Sequence, residues 1–361
     1  MALNDYVTLG HSGLRVSPFC LGAMTFGDDW GWGSSVAESE TIIARFLERG
    51  GNFIDTANVY TKGHSEAIIG DYIGHDRARR DRVVIATKFF GNLYNGDPNG
   101  GGASRKAIAA SCEESLRRLR TDYIDLYWMH VWDRFTPIDE TMRALDDLVR
   151  AGKVRYIGFS DTPAWKVSQA QMTALFRGWT PLVALQIEYS LLERTVEGEL
   201  VPMAQELGLG ITPWSPMAGG VLSGKFKREE AATATSDRGT RSLSRLTERT
   251  FTILDEVKRV AASLGTTPAA VALAWVQSRP GVASTIIGAR RLDQLDANLA
   301  ALDLRLAPEH VQALDAVSVP SLNFPANFLG GAISFMHNGL TVNGAPSEPL
   351  PLLQPSPHAL D

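Results

Sequence analysis

The feature that most limits the fold of this chain is a repeated alternation between short apolar runs and longer amphipathic stretches. Eight apolar runs follow one another from residue 17 onward, and segments with apolar residues at helical spacing separate most of them. The runs cover residues 19–24, 52–56, 83–88, 123–130, 154–160, 182–189, 210–214 and 284–288. Eight such βαβ alternations predict an α/β fold closed into a (β/α)8 TIM barrel. No G-x-G-x-x-G loop follows the first run, which argues against an open dinucleotide-binding sheet.

Three segments lie outside this alternation. Residues 6–16 place two apolar runs around a polar, glycine-containing turn, which predicts a β-hairpin that caps the barrel. The polar, basic segment 223–249 after the seventh strand predicts a lid. Residues 319–361 are rich in proline, glycine and asparagine, and they are either a pocket wall near Phe324 and Phe328 or a loose terminus. We therefore expect one barrel domain over residues 1–318, followed by a tail.

Charge, cysteine content and hydropathy argue against several kinds of partner. A formal net charge of −5 argues against binding to nucleic acid or to an anionic membrane surface, because such proteins usually need a basic face. Two cysteines are too few for a disulfide framework, and no His-Glu-x-x-His spacing occurs, so we expect a reducing compartment and no metal. Without a membrane-length apolar run or a leader pattern, we expect a cytoplasmic protein. The sequence does not determine the oligomeric state.

Polar residues end three neighbouring strands, and in a parallel barrel the carboxyl ends of the strands carry the chemistry. Asp55, Lys88 and His130 end the second, third and fourth strands, and Tyr60 follows the second. Taken singly, they are explained as well by a helix cap, a snorkelling lysine, a core histidine and a loop aromatic. Together they predict an acid–base site, because a lysine that ends so apolar a run needs a paired anion.

Four segments in which these residues lie resemble the aldo-keto reductase family, in the family's order, within a likeness that runs from Leu9 to about Asp303. They are Asp55-Thr56-Ala57-Asn58-Val59-Tyr60, Gly63-His64-Ser65-Glu66, Ala86-Thr87-Lys88 and the strand that ends in His130. The resemblance implies a catalytic tetrad of Asp55, Tyr60, Lys88 and His130. It also implies reversible hydride transfer between NADPH (NADP+) and a small-molecule carbonyl or alcohol. Tyr60 is the expected general acid, because Lys88 can stabilise tyrosinate while Asp55 keeps the lysine charged.

The same resemblance implies a cofactor site at the later strand ends. Trp214 is expected to stack on the nicotinamide, and Ser160 and Gln186 are expected to bind its carboxamide. Asp161 stands where many family members have asparagine, and an ionised carboxylate can accept from the carboxamide but cannot donate. The pyrophosphate is expected to contact Ser215, Met217, Gly219, Leu222, Gly224 and Lys225, with Pro216 and Gly288 as further cofactor contacts.

A row of polar residues after the eighth strand predicts a phosphate site. Arg290, Gln294 and Asn298 are spaced four residues apart, so they share one face of a helix near its N-terminus. A solvated helix face accounts for the same row. The resemblance assigns Arg290 to the 2′-phosphate and Gln294 and Asn298 to the adenine, which implies NADPH rather than NADH.

The substrate is predicted only by class. Aromatic side chains at strand ends and in the tail predict a roomy pocket for a bulky or cyclic carbonyl; they are Trp30, Trp32, Tyr94, Trp132 and Phe324. Two other functions fit the same residues. One is an NADPH-binding redox-sensing subunit with little turnover, and the other is a barrel enzyme that uses Lys88 as a Schiff-base nucleophile.

Overall fold

The computed structural model describes residues 1–229 and 243–353 and shows a TIM barrel of eight parallel strands. In chain order, which is also the order around the barrel, these strands are β3 (Phe19–Gly22), β4 (Phe53–Asp55), β5 (Val84–Phe89), β6 (Ile124–Met129), β7 (Val154–Ser160), β8 (Leu182–Glu188), β9 (Gly210–Trp214) and β10 (Thr285–Gly288). β10 pairs with β3, and Ile211 of β9 bridges to Val282 just before β10, so the ring is nearly closed. All eight predicted strands are confirmed, with ends that differ by at most two residues.

Helices cover the outside of the barrel. They are α1 (Val36–Glu48), α2 (His64–Ile69), α3 (Arg77–Arg80), α4 (Arg105–Leu119), α5 (Ile138–Arg150), α6 (Ala164–Arg177), α7 (Leu200–Glu206), α8 (Glu248–Ser263), α9 (Pro268–Gln277), α10 (Leu292–Leu299) and α11 (Pro308–Val317). A π-helical turn, Gly70–Gly74, extends α2, and 3₁₀ turns cover Tyr60–Gly63, Thr195–Glu197, Ala218–Ser223 and Ala300–Asp303. Hydroxyl side chains begin several helices: Ser35 forms a capping box with Glu38 at α1, and Thr267 caps α9.

The amino-terminal hairpin lies against the end of the barrel opposite to the carboxyl ends of the strands. Its strands are β1 (Val7–Thr8) and β2 (Arg15–Val16), which pair antiparallel. Leu9 is fully buried in a cluster with Phe53 of β4, inside the barrel. Gly10 has φ +58, and a Cβ there would lie 2.3 Å from the Val183 carbonyl oxygen, so the turn fits only with glycine. The hairpin therefore closes the amino-terminal mouth, as predicted, and the carboxyl-terminal mouth stays open.

The tail forms a helix, α12 (Ala326–His337), a short hairpin of β11 (Thr341–Val342) and β12 (Ala345–Pro346), and a 3₁₀ turn, Pro351–Leu353. No side chain of α12 is buried. Phe324 is 78% exposed and contacts the ring of Phe328 at a centroid distance of 6.3 Å. The described tail thus has secondary structure, but its aromatic residues face outward. The predicted lid falls in part on residues 230–242, which lie outside the described residues.

Among the described helices, no single one is long and apolar enough to cross a membrane. The consecutive helices α8 and α9 reach that length and composition only when they are counted together, and they are bent by 99° relative to each other.

Candidate active site

A cleft of about 690 Å³ opens at the carboxyl ends of the barrel strands. This volume is in the range of small-molecule sites. Most of the residues predicted to act or to bind the cofactor line it: Asp55, Tyr60, His130, Ser160, Asp161, Gln186, Trp214, Ser215, Pro216, Met217, Gly219, Lys225, Gly288, Arg290, Gln294 and Asn298. Lys88, Leu222 and Gly224 are not among the lining residues, and the side chains of Lys88 and Leu222 are fully buried. No group of side chains among the described residues is arranged to hold a metal ion.

Lys88 is the centre of a hydrogen-bonded cluster at the floor of the cleft. Its side chain is fully buried, and its ammonium Nζ donates to Oδ2 of Asp55, to the Thr56 carbonyl oxygen at 2.9 Å and to the Tyr60 hydroxyl at 3.3 Å. These three acceptors match the three donors of an ammonium group. The cluster therefore holds the lysine charged and points one of its N–H groups at the phenol.

Burial and charge act against each other on the phenol. Desolvation raises the pKa of Tyr60, while the Lys88 ammonium lowers it in part. Desolvation alone would lower the pKa of Lys88, but the Asp55 carboxylate, aided by Tyr60, raises it above its ordinary value. The sequence predicts that Lys88 stabilises tyrosinate, which taken alone would lower the pKa of Tyr60. In the structure the loss of water around the phenol outweighs the lysine, so Tyr60 is protonated and ready to donate.

His130 faces Tyr60 across the cleft, with the two rings nearly perpendicular at a centroid distance of 5.8 Å. Burial first and the Lys88 charge second lower the pKa of His130 from 6.5 to about 3. The imidazole is therefore neutral at ordinary pH, with one ring nitrogen that donates and one that accepts. A neutral imidazole at this place can donate a hydrogen bond to an acceptor such as a carbonyl oxygen.

The end of β7 offers polar groups beside this cluster. Ser160 is buried, and its hydroxyl oxygen has no hydrogen-bond partner in the structure. Buried hydroxyls without partners are rare in folded proteins and indicate a missing ligand or water. Next to it, Asp161 Oδ1 accepts from the indole Nε1 of Trp214 at 3.0 Å, and Gln186 lies one strand further on. The site thus presents an amide, a hydroxyl and a flat indole side by side.

The loop after β9 contains several residues in the left-handed region of backbone conformation. Ser215, Gly219 and Gly224 have φ values of 53°, 69° and 84°, and the Ser215 hydroxyl accepts from the Gly219 amide at 3.0 Å. Lys225 follows and lines the cleft. A glycine-rich loop with a lysine at its end is suited to a phosphate group.

The residues after β10 form the far end of the cleft. Gln294 of α10 accepts from the Arg290 amide at 2.9 Å through Oε1, and Asn298 donates to the Gly288 carbonyl oxygen at 3.1 Å. Their side chains thus fix the loop between β10 and α10 and also line the cleft. Arg290 thus lines the cleft two residues before α10 begins, and the N-terminus of a helix favours anions.

Some lining residues have no counterpart in the sequence prediction. The clearest are Glu188 and Arg245, which both line the cleft and whose side chains form an ion pair at 2.5 Å. The others are Gly22, Met24, Thr25, Ala218, Gly220, Ser223, Ala269, Ile286, Ala289 and Ala297. Glu188 could have been predicted to line the cleft, since it lies two residues after Gln186 on the same strand and so on the same face. Nothing in the sequence predicts that Arg245 lines the cleft, because it lies in a polar segment without periodicity.

Behind the cleft, Glu66 of α2 supports the turn that carries Tyr60. Glu66 is fully buried; it accepts from the Thr87 hydroxyl at 2.6 Å and from Arg118 Nε at 2.7 Å. Arg118 in turn fills the space beside Gly63, where a Cβ would lie 2.7 Å from its Cδ. The network ties the residue before Lys88 to the end of the Tyr60–Gly63 turn.

Of the five aromatic residues predicted to form a substrate pocket, Trp32 lines the cleft. Trp30 packs against Trp32 at a centroid distance of 5.6 Å and is 38% exposed. Trp132 contacts Trp165 of α6, while Tyr94 is 53% exposed in the loop after β5. These three residues and Phe324 are not among the residues that line the cleft.

Comparison with known proteins gives a consistent picture. Residues 18–319 match the model of the Aldo/keto reductase family. An uncharacterized oxidoreductase of Bacillus subtilis (strain 168) is 40% identical over 322 residues, which cover 87% of this chain and 95% of that protein. A putative aryl-alcohol dehydrogenase of Saccharomyces cerevisiae is 36% identical over 332 residues, 88% of each chain. An aryl-alcohol dehydrogenase (NADP+) of Phanerodontia chrysosporium is 37% identical over 338 residues, 88% of this chain and 86% of that protein.

Proposed function

The chain belongs to the aldo-keto reductase family, and from this we propose that it catalyses reversible hydride transfer between NADPH and the carbonyl group of a bulky aromatic substrate. The observation that carries the proposal is the cluster of Asp55, Lys88 and Tyr60 at the floor of the cleft. It provides a protonated phenol beside a fixed ammonium, which is the arrangement that a carbonyl reduction needs.

The residues of the cluster divide the work of proton transfer. NADPH supplies the hydride when it is bound. Tyr60 donates its proton to the carbonyl oxygen as negative charge develops there, and the Lys88 ammonium stabilises the resulting phenolate. Asp55 keeps the ammonium in place, and neutral His130 orients the carbonyl by a hydrogen bond. In the reverse direction the same groups remove the proton from an alcohol.

Several features of the described residues support NADPH as the cofactor. The partnerless Ser160 hydroxyl suits a carboxamide, and the Trp214 indole offers a flat surface for a planar ring. Lys225 and Arg290 supply positive charge along the rest of the cleft. Two positions are suited to phosphates, one for the pyrophosphate and one for a 2′-phosphate. The printed name of the Phanerodontia chrysosporium relative, which specifies NADP+, adds support.

The substrate class follows from the cleft and from relatives. Met24 and Trp32 contribute apolar side chains to its lining, and two of the similar proteins are named aryl-alcohol dehydrogenases. We therefore expect aromatic aldehydes and their alcohols to be turned over. We also propose that residues 1–318 form one catalytic domain. We further propose that the protein is cytoplasmic, because Cys20 and Cys112 are free thiols, as expected in a reducing compartment.

Lys88 is poorly suited to act as a Schiff-base nucleophile. Such a lysine must lose its proton and reach the substrate. Here its amine is fully buried, its three donors are engaged, and Asp55 raises its pKa. A redox-sensing role without turnover differs from our proposal in one measurable respect, which is the rate of NADPH consumption with a carbonyl substrate.

The test is an assay of the full chain with NADPH and a panel of aromatic aldehydes, ketones and sugars, with Tyr60→Phe as the matched variant. We expect NADPH consumption with aromatic aldehydes, and a loss of about 10²- to 10⁴-fold in kcat for Tyr60→Phe. NADPH binding, followed by quenching of tryptophan fluorescence, should be equal in both proteins. An active Tyr60→Phe variant, or tight NADPH binding without turnover across the panel, would overturn the proposal.

A further inference from the structure

Glu66 of α2 is a fully buried carboxylate that the proposed proton transfer does not use, and it is not among the residues that line the cleft. Its Oε1 accepts from the Thr87 hydroxyl at 2.6 Å, and its Oε2 accepts from Nε of Arg118 at 2.7 Å. A buried carboxylate is costly unless it is paired and hydrogen-bonded, and here the guanidinium from α4 meets this need. Glu66 thus connects α2 with both β5 and α4.

The turn that begins at Tyr60 and leads into α2 has an unusual backbone. Thr61, Lys62 and Gly63 follow one another with φ values of 46°, 55° and 92°, all in the left-handed region. Two successive non-glycine residues in this region are unfavourable and persist only where the surrounding structure holds them. The Thr61 hydroxyl accepts from the Ser65 amide, in the first turn of α2, at 3.0 Å. The turn is thereby joined to α2, so the position of this helix determines where Tyr60 lies.

Glu66 connects this helix with the strand that carries the catalytic lysine. Thr87 and Lys88 are neighbours on β5, so their side chains point to opposite faces of the strand, Thr87 toward α2 and Lys88 toward Tyr60. Another contact of α2, from the Ser65 hydroxyl, reaches the carbonyl oxygen of the residue after β3. The Tyr60 hydroxyl lies 3.3 Å from Lys88 Nζ, which is longer than usual for a hydrogen bond. A small displacement of α2 relative to β5 is therefore enough to break this contact.

We propose that Glu66 is a positioning residue, which sets the distance between the Tyr60 hydroxyl and the Lys88 ammonium by fixing α2 against β5. The inference rests on the proposed function, in which that ammonium stabilises the phenolate of Tyr60. The attraction between the two charges falls with distance, and it is stronger in a buried site than in water. A misplacement of about 1 Å in a catalytic group can cost on the order of 10²-fold in rate.

The effect reaches the phenol through the charge of Lys88. Burial contributes most to raising the pKa of Tyr60, the carboxylates of Asp55 and Asp161 raise it further, and Lys88 lowers it. His130, which also faces the phenol, is neutral at ordinary pH. A wider gap between the phenol and the ammonium weakens the influence of the lysine, so the pKa of the phenol rises.

The test removes the contact between β5 and Glu66 in the full chain. Thr87→Val deletes the hydroxyl, fills the same volume and leaves the ion pair between Glu66 and Arg118 in place. Oxidation of an aromatic alcohol with NADP+ uses the phenolate of Tyr60, so kcat rises with pH as the phenol loses its proton. We expect the variant to lower kcat by about tenfold or more and to move this rise to higher pH by about 0.5 to 1 unit. The dissociation constant for NADP+, measured by tryptophan fluorescence, should be unchanged.

Two further variants serve as controls. Thr87→Ser keeps a hydroxyl and should restore the pH profile of the parent. Thr285→Val is the matched control, because the Thr285 hydroxyl donates to Gln277 Oε1 at 2.7 Å and so joins another strand, β10, to the preceding helix, α9. It should leave the pH profile unchanged.

An unshifted profile in Thr87→Val, or an equal shift in Thr285→Val, would overturn the inference, while turnover by the parent chain upholds the proposed function. If the parent chain turns over no aromatic alcohol or aldehyde, both the inference and the proposed function fail.

Discussion

Gln186 donates from its side-chain Nε2 to Oδ1 of Asp55 at 3.1 Å, although 131 residues separate them in the chain. The other carboxylate oxygen, Oδ2, accepts from Lys88. The carboxylate is thus held from both sides by strands that lie across the barrel from each other. Gln186, which the resemblance assigns to the carboxamide of the cofactor, therefore also helps to hold the carboxylate that positions Lys88.

We predict that Gln186→Leu destabilises the folded protein by about 1–3 kcal/mol, because it leaves a buried carboxylate oxygen without its donor. Urea denaturation measures the change. Gln186→Glu should be more destabilising at neutral pH, where it places a second carboxylate against Asp55, and its deficit should shrink as the pH falls. A leucine variant as stable as the parent would show that the hydrogen bond from Gln186 adds nothing.

The pKa of His130 predicts how stability depends on pH. Since its pKa falls from 6.5 in the unfolded chain to about 3 in the folded protein, the unfolded chain binds more protons between these values. His130 therefore destabilises the folded state as the pH drops below about 6.5, by on the order of 1 kcal/mol per pH unit. In His130→Gln this contribution is absent. Denaturation at pH 7 and pH 5 should show a smaller loss of stability in the variant, and equal losses would contradict the assignment.

The variant Ser160→Ala tests whether the Ser160 hydroxyl binds the cofactor or stabilises the fold. The Ser160 hydroxyl has no partner in the structure, so its removal should leave the free energy of unfolding within about 0.5 kcal/mol of the parent value. The same change should weaken NADPH binding by about two- to tenfold, the usual range for one lost hydrogen bond. Thermal denaturation and fluorescence titration give the two quantities. A variant that loses stability and keeps its affinity would reverse this interpretation.

Arg290→Ala should lower the preference for NADPH over NADH by about tenfold or more, because charge-assisted hydrogen bonds to a phosphate are among the stronger polar contacts. The measurement is kcat/KM with each cofactor. Arg291→Ala is the matched control, since Arg291 is next in the chain but is exposed and paired with Asp293 at 3.0 Å. A similar change in both variants would indicate a general electrostatic effect and would remove the 2′-phosphate assignment.

The barrel could be predicted from the sequence because its strands are buried on both faces and read as continuous apolar runs. The same logic placed Asp55, Lys88 and His130 at one mouth, since each directly ends such a run. The sequence could not show that Gln186 reaches Asp55, because contacts across the barrel depend on its closure and not on spacing along the chain. Nor could it show that desolvation outweighs Lys88 at Tyr60, which depends on how deeply the phenol lies.

Side chains on long loops were the hardest to place. Trp30, Tyr94 and Trp132 follow strand ends, but the direction of a loop side chain depends on turn geometry and packing that a short stretch of sequence does not specify. The tail shows the same limit: a helix with exposed apolar residues has no buried face from which its orientation could be predicted.

The amino-terminal hairpin affects the order in which ligands bind to the barrel and dissociate from it. Because Leu9 and the Gly10 turn close the amino-terminal end of the barrel, cofactor, substrate, product and exchangeable protons must all enter and leave through the carboxyl-terminal opening. A molecule that binds on top of another in this cleft has to dissociate before the one beneath it can leave.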